Sequence, residues 1–532
     1  MNKSLLTSFL LFLSAGSYAQ GTLSGDIQTN VNFFIKDTSI KACCNELYEH
    51  YLTGSETWVS LRYNVSGWTF NVRGDVFNNS NLYSPQKALS GYGLGAYSVS
   101  KEMGDLTVSL GYLYEQIGSG ILFRSYEDRG LLIDNALVGA SLKYKVNDHI
   151  NVKAFTGQQK TLFSTYKPII RGFNAEGDFG KGSVHFSPGL GVLNRALDQA
   201  SMDVIAGSIN AMPDTAMRFN PKYNVFAATV YNTLTYKNFM WYVEGAVKSS
   251  EAIWNINDSL LVNKPGNVIY TTMSWGKKGI AINAAAKRTE NFYMRVSPND
   301  RLLNSGMLNW QPVVATIRPE RLLSRYTPAS QDRSEAAGSV NVVVSPNDKL
   351  NVIGAYTHID RLDGQKLFRE GYLEGNYTGL DKWIIQLGLQ YMEYNQKVYQ
   401  VSFPEGMPMI YAFTPFTEVT YRLSDSKSMR FEVQYMDTKQ DYGSWTFLLA
   451  EFNVAPKFSI SVSDMYNNNP NYKNVNVTKA NHYYSVYGAF TKGPHRLSLA
   501  YVKQVDGINC SGGVCRYEPA FSGVKATFST NF

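Results

Sequence analysis

The sequence predicts an all-β chain folded as a single transmembrane antiparallel β-barrel of roughly 24 strands (roughly 22–26). Three observations carry this prediction: segments of strict alternation, a two-beat rhythm of short and long connections, and a final alternating strand that finishes on Phe532. In 59–65, Val59, Leu61, Tyr63 and Val65 face one way while Ser60, Arg62 and Asn64 face the other. The same period of two runs through 105–112, 383–391, 429–435 and 458–463. Such segments of up to about ten residues suit a wall with one apolar and one polar face. Soluble β-sandwiches also alternate. Aromatic residues near segment ends (Trp68, Tyr112, Tyr391, Tyr421, Tyr435 and Tyr501) favour the membrane, where rings collect at the two interfaces.

Connections alternate in length. Short turns rich in Gly, Asn, Asp, Pro and Lys recur, as near 65–67, 102–105, 277–279 and 492–495. Longer irregular segments lie between them, among them 34–54, 115–135, 158–170, 194–222, 250–265, 293–335 and 504–519. Roughly eleven short turns and twelve longer segments imply an even strand number, with both chain ends on the periplasmic side.

Residues 1–19 read as a cleaved export signal, and 20–532 as one barrel domain. Lys3 supplies the positive start, Leu5 to Leu13 the apolar run, and Ser17, Tyr18 and Ala19 the small-x-small cut site. That run is shorter than the roughly 20 residues of a spanning helix. No Cys follows the cut, which argues against a lipid anchor. The composition agrees with an exported β-protein. Aromatic residues are 14%, Tyr numbers 36 and Gly 43, and charged residues are only 17%, against about 25% in soluble domains. The net charge of +7 suits an anionic lipid surface, or is ordinary surface charge. The expected location is a bacterial outer membrane. The expected partners are its lipid and lipopolysaccharide, the barrel-assembly machinery and possible further outer-membrane proteins, with no nucleic acid.

Alternation begins almost at once in the mature chain, with Leu23, Gly25, Ile27, Thr29, Val31 and Phe33 on one face. This leaves no room for an N-terminal plug domain of the kind TonB-dependent receptors carry. A barrel of 22 strands is already wide enough to need a plug. The lumen is therefore expected to be filled or narrowed by the chain's own extracellular loops, chiefly 115–135, 194–222 and 293–335, or by another protein. At the far end, Val524, Ala526, Phe528, Thr530 and Phe532 share a face. Phe528 and Phe532 resemble the terminal-strand signature that barrel-assembly machinery reads.

The segment 115–139 is the most unusual stretch. Gly118, Ser119 and Gly120 precede a dense charged run containing Arg124, Glu127, Asp128 and Arg129, with Asp134 and Asn135 following. It occupies the third long loop, whose equivalent in general porins folds inward. These charges would form a constriction or a paired network in the lumen, or else a solvated outer loop. With the early strands, this region resembles an uncharacterised family of barrels from Bacteroidetes-type outer membranes, most strongly over about residues 90–160. The resemblance implies the barrel fold and its location, and no activity.

Segment 293–335 carries Arg295, Arg301, Arg318, Arg321, Arg325 and Arg333 with few acids between them. Folded inward it would make an anion-attracting lining; folded outward it would meet lipopolysaccharide or a partner. Cys43 and Cys44 fall in the first long loop, Cys510 and Cys515 in the last. Pairing of the first and last strands would make those loops neighbours. Either Cys510 and Cys515 bond to each other, or bridges cross the seam; spacing does not choose. No His stands beside these cysteines at metal-ligand spacing, so no metal site and no cofactor are expected. His358 and Asp360 are the nearest approach to a catalytic pair, and no enzyme is expected. Two functions remain: a loop-constricted channel, porin-like in transport, or a non-enzymatic structural or docking subunit of a larger outer-membrane assembly or export complex.

Overall fold

The computed structural model describes residues 21–81, 87–254, 260–300, 305–329, 333–400, 406–474, 477, 479–511 and 514–532, with the backbone alone over 509–515. The expected export signal, residues 1–19, lies outside these. Twenty-five β-segments join in one antiparallel sheet. Ser164–Gly177 and Phe179–Lys181 share the partner Val184–Ala196, so they are two parts of one interrupted strand, and the barrel has 24 strands. The first strand, Thr22–Phe34, pairs with the last, Phe521–Asn531, from Asp26 opposite Asn531 to Phe34 opposite Gly523. That pairing closes the sheet. No helix among the described residues is long and apolar enough to cross a membrane, and the crossing is made by strands.

Alternation sorts the wall into two faces, as the period of a strand requires. Val230 is 66% exposed, Ile269 59% and Leu387 58%, on the outside of a closed sheet where only lipid would cover them. Trp68, Trp275, Trp383 and Phe458 sit within a few residues of the short turns and point outward. The Trp383 and Tyr421 rings lie 4.6 Å apart and those of Phe458 and Phe490 5.0 Å apart, an aromatic girdle at that rim. The inner face is polar and buried: Glu56, Arg73, Lys160, Glu244, Glu370 and Gln434 are all inaccessible to bulk solvent. Wall strands pair such charges directly, between neighbours in Lys287 with Glu335 at 2.9 Å and across one intervening strand in Arg195 with Glu251 at 3.0 Å.

Connections depart from the expected lengths in two places. Residues 158–170 are not irregular: Ile150–Thr161 and Ser164–Gly177 extend the wall and meet in a tight turn at Leu162, whose φ is 54°. The expected loop 250–265 shrinks likewise, because Phe239–Trp254 and Leu261–Lys277 run far into it. Polar, Lys-rich strand ends imitate loop composition. A strand of 17 residues exceeds the roughly 9–11 needed to cross a bilayer, so these hairpins rise beyond it.

Phe532 completes the seam. Its N–H donates to the Gly25 carbonyl at 3.0 Å, and its own carbonyl accepts from the Gly25 N–H at 2.8 Å. The ring lies across Gly25, where a Cβ would come within 2.7 Å of Phe532 Cζ and 2.5 Å of the Ser60 carbonyl oxygen. Gly25→Val should therefore open the seam locally and destabilise the barrel by about 1–3 kcal/mol, as overpacking does. Urea titration followed by heat-modifiable gel mobility measures this; an unchanged midpoint would contradict the packing.

Candidate functional site

Two long connections turn into the barrel and meet there. The first, residues 114–136, reaches wall strands on two sides. At one end Ile117, fully buried, seats against Gly191, where any Cβ would collide with its methyl group. Gly118 adopts φ +55°, a left-handed turn favouring glycine, and a Cβ there would lie 2.6 Å from Glu244 Oε1. This brings Ser119 onto Glu244: its N–H donates to Oε2 at 3.0 Å and its hydroxyl at 2.5 Å. Tyr242 and Thr229 donate to the same carboxylate at 2.6 and 2.9 Å. Glu244 is 0% exposed, and four donors replace the water it has lost. Gly118, Ser119 and Gly120 thus anchor a loop to the wall.

The charged run docks on a second part of the wall. Arg73 Nε and Nη2 hold Asp75 at 2.7 and 2.9 Å. Its Nη1 takes Glu127 Oε1 at 2.8 Å and its Nη2 takes Asp134 Oδ2 at 2.6 Å, both from the loop. Arg129 bonds Glu127 at 2.8 Å and Asp26 at 2.9 Å, with its guanidinium 5.7 Å from the Trp58 ring centroid. Lys160 donates to Asp134 as well. Burial alone would raise the Asp134 carboxyl, but Lys160 and Arg73 outweigh it and hold the group below the ordinary aspartate value. Of the charged residues singled out in this segment, Glu127, Arg129 and Asp134 therefore join one network. Arg124 stands apart, its guanidinium 4.6 Å from the Tyr126 ring and 4.9 Å from that of Trp310. Asp128 accepts the Leu131 N–H at 3.1 Å within its own turn.

The second connection, residues 291–334, locks onto the first. Arg124 N–H donates to the Leu308 carbonyl at 2.9 Å, and Trp310 N–H to that of Gly120 at 3.0 Å. The Asn309 side chain reaches the Ile121 carbonyl at 2.9 Å. Leu308, Phe292 and Val296 join Ile117, Ile121, Leu122 and Phe123 in one buried apolar cluster. Further on, the chain crosses to the far wall. Arg318 pairs with Glu370 at 3.2 Å and stacks 3.6 Å from the Tyr372 ring centroid. The Leu322 N–H donates to Gln434 at 2.7 Å. Asp441 receives the Tyr326 hydroxyl at 2.6 Å and lies 3.4 Å from Arg325 Nη2. Around these residues a second cluster forms with Leu322, Tyr326, Tyr394 and Trp445.

The basic residues of this segment thus divide. Arg318 is matched by the wall carboxylate of Glu370 and Arg325 by Asp441 of the connection before Gly443, and the Arg295 side chain donates to the Ser305 carbonyl at 2.5 Å. Arg301 lies outside the described residues. Arg321 has no ion pair among the described residues. The third long segment behaves differently from expectation: helix Gln199–Asn210, capped by Asp198, packs Met202, Ile205 and Ile209 onto Ala252 and Leu261 of its neighbouring hairpin.

Wall residues Arg73, Asp75, Lys160, Glu244 and Glu370, and Asp441 of a connection, escaped the sequence reading. Arg73 and Asp75 carry the one usable signal, opposite charges two residues apart on the same strand face. His358 Nε2 does lie 2.8 Å from Asp360, with Tyr356 at 3.4 Å, but Asp360 is also held bidentately by Arg369 at 2.7 and 2.8 Å. That is an ion-pair cluster near the rim. No group of three or more His, Cys, Asp and Glu suited to a metal occurs among the described residues. Cys43 and Cys44 are free thiols. Cys510 and Cys515 stand opposite each other in the hairpin Gly507–Ser511 and Val514–Glu518, with their side chains outside the described residues.

Glu244→Ala should release the 115–120 turn by removing four charge-assisted hydrogen bonds, each worth about 1.5–3 kcal/mol. Limited proteolysis of the intact barrel would then cut this turn at least about tenfold faster, since 1.4 kcal/mol is a factor of ten. The Asp134 contribution is present above its unfolded pKa of about 4 and fades as pH falls through its lower folded value. The 127–134 amides should accordingly stay protected from hydrogen exchange at neutral pH and lose protection only in acid; loss near pH 6 would contradict the ion-pair network.

The P pilus usher PapC translocation pore is similar in structure at 8% identity and a TM-score of 0.46, over 96% of this chain and 99% of that one. The siderophore receptor PirA from Pseudomonas aeruginosa is similar at 9% identity and 0.42, over 97% and 81%. The FrpB iron transporter from Neisseria meningitidis (F5-1 variant) is similar at 8% and 0.41, over 96% and 82%. No curated protein sequence matches. A family model matches from residue 1 to residue 532, well beyond the stretch that carried the resemblance, and the chain belongs to that family of unknown function, DUF6029.

Proposed function

We propose that the protein is an outer-membrane channel for small solutes, non-enzymatic, whose lumen is narrowed by its own segments 114–136 and 291–334. The observation that supports this reading is the joint between those segments: each is bonded to the wall, and the two are bonded to each other inside the barrel. A barrel of this strand number without such a filling would leave a hole too wide to act as a barrier. Beneath Gly118 and Ser119 an open chamber of about 540 Å³ remains, lined by Tyr231, Tyr242, Tyr270 and Glu176. A chamber on one side of a narrowed lumen suits passage of solutes better than a solid plug. The outward apolar band and the girdle beside the short turns suit an outer-membrane lipid environment, and the last strand, with Phe528 and Phe532, offers the assembly machinery its handle.

Single-channel recording of the refolded protein tests the reading. Wild type should give small, discrete conductance steps, and deletion of residues 116–134 should enlarge them several-fold. A folded wild-type barrel without conductance would overturn the channel and leave the docking or structural subunit, for which stoichiometric partners in a detergent pull-down would be the sign.

A further inference from the structure

The first long connection meets the last over the seam, where Ile40 and Ala42 pack with Ala520, and it is bonded to the strands on either side: the Ser522 N–H donates to the Tyr48 hydroxyl at 2.9 Å, and Lys503 pairs with Asp37 at 2.8 Å. Between them and the inner wall lies a cavity of about 230 Å³, whose polar lining includes Asn30, Asn32, Glu56, Arg516, Glu518 and Lys525. Arg516 is 7% exposed. Its Nη2 donates to the Asn81 carbonyl at 2.8 Å, while Nε and Nη1 are buried with no hydrogen-bond acceptor among the described residues. A buried guanidinium with two unmet donors is costly, because the water it has lost is not replaced.

The surrounding charges deepen the mismatch. The Lys525 ammonium rests 4.5 Å from the Phe521 ring centroid and has no ion pair among the described residues. Beside these two cations stand two carboxylates, each with another partner. Glu56 accepts the Ser80 hydroxyl at 2.6 Å, and Glu518 accepts from Gln504 Nε2 at 3.3 Å. Arg516 and Lys525 are thus each without an ion pair among the described residues, in a chamber of about 230 Å³ that holds several water-sized volumes of about 30 Å³.

We propose that this seam cavity is a binding site for a small oxyanion, a phosphate or a carboxylate, which accepts hydrogen bonds from Arg516 and is balanced by Lys525. Guanidinium donors suit such oxygens, and an enclosed site weakens the competition from water and salt. The site stands independently of the channel reading, since it needs no current to pass.

Titration calorimetry of inorganic phosphate into the refolded full chain, in detergent at low ionic strength, tests it. One saturable site per chain is expected. Arg516→Gln should weaken binding at least tenfold and Lys525→Gln several-fold, while Lys181→Gln, on an exposed short turn, should leave it unchanged. Heat-modifiable mobility establishes that each variant is folded; if Arg516→Gln fails there, Lys525→Gln alone decides. Absence of saturable phosphate binding to wild type, or binding that neither cavity variant weakens, would overturn the site. Because conductance is measured separately, its failure and the failure of this site are distinguishable.

Discussion

The hydrogen-bonded seam between Thr22–Phe34 and Phe521–Asn531 is the constraint on which the rest of the molecule depends. A sheet that crosses lipid cannot leave an edge, because no water is present to satisfy unpaired backbone groups. Closing on the last strand settles which strand is neighbour to which, and with it which loops meet. It also places Phe532 over Gly25, so the final residue belongs to the wall rather than to a tail.

Closure of this many strands creates a second requirement. The enclosed space is wide, and its wall carries buried charges such as Arg73, Glu244 and Glu370 whose hydrogen bonds the wall alone does not complete. Two inward segments answer both needs. Their apolar residues make the two large internal clusters, and their polar residues meet the wall charges. Breaking a buried pair by removing one partner is strongly destabilising, so these contacts hold the segments in one arrangement even where the pairs add little net stability. Space for them is provided by the wall itself, as at Gly191 beneath Ile117.

Much of the barrel was legible beforehand because lipid on one side and a polar interior on the other impose a period of two. The seam pairing follows from the alternating first and last segments. The loop 158–170 was misread because strands that rise beyond the membrane lose the apolar half of that pattern. In the candidate site, Glu127, Arg129 and Asp134 were visible as a dense cluster of charge, and Arg318, Arg321 and Arg325 as a basic run. Their fates were not visible. Arg318 is neutralised by Glu370, Arg124 lies against two aromatic rings, and Arg321 has no ion pair among the described residues.

The sequence by itself determined the class of fold, the approximate strand number, the closing strand and the candidate inward segments, since each depends on local periodicity and composition. Tertiary structure decided which segments bond to the inner wall, which charges are cancelled and which cations are left without an ion pair. A polar residue on an inner strand face has the same local pattern whether it meets water, an arginine or a loop carbonyl. Only closing the barrel brings Glu244 to Ser119, Glu370 to Arg318 and Arg516 to Asn81, so the character of each of these groups is a property of the closed sheet.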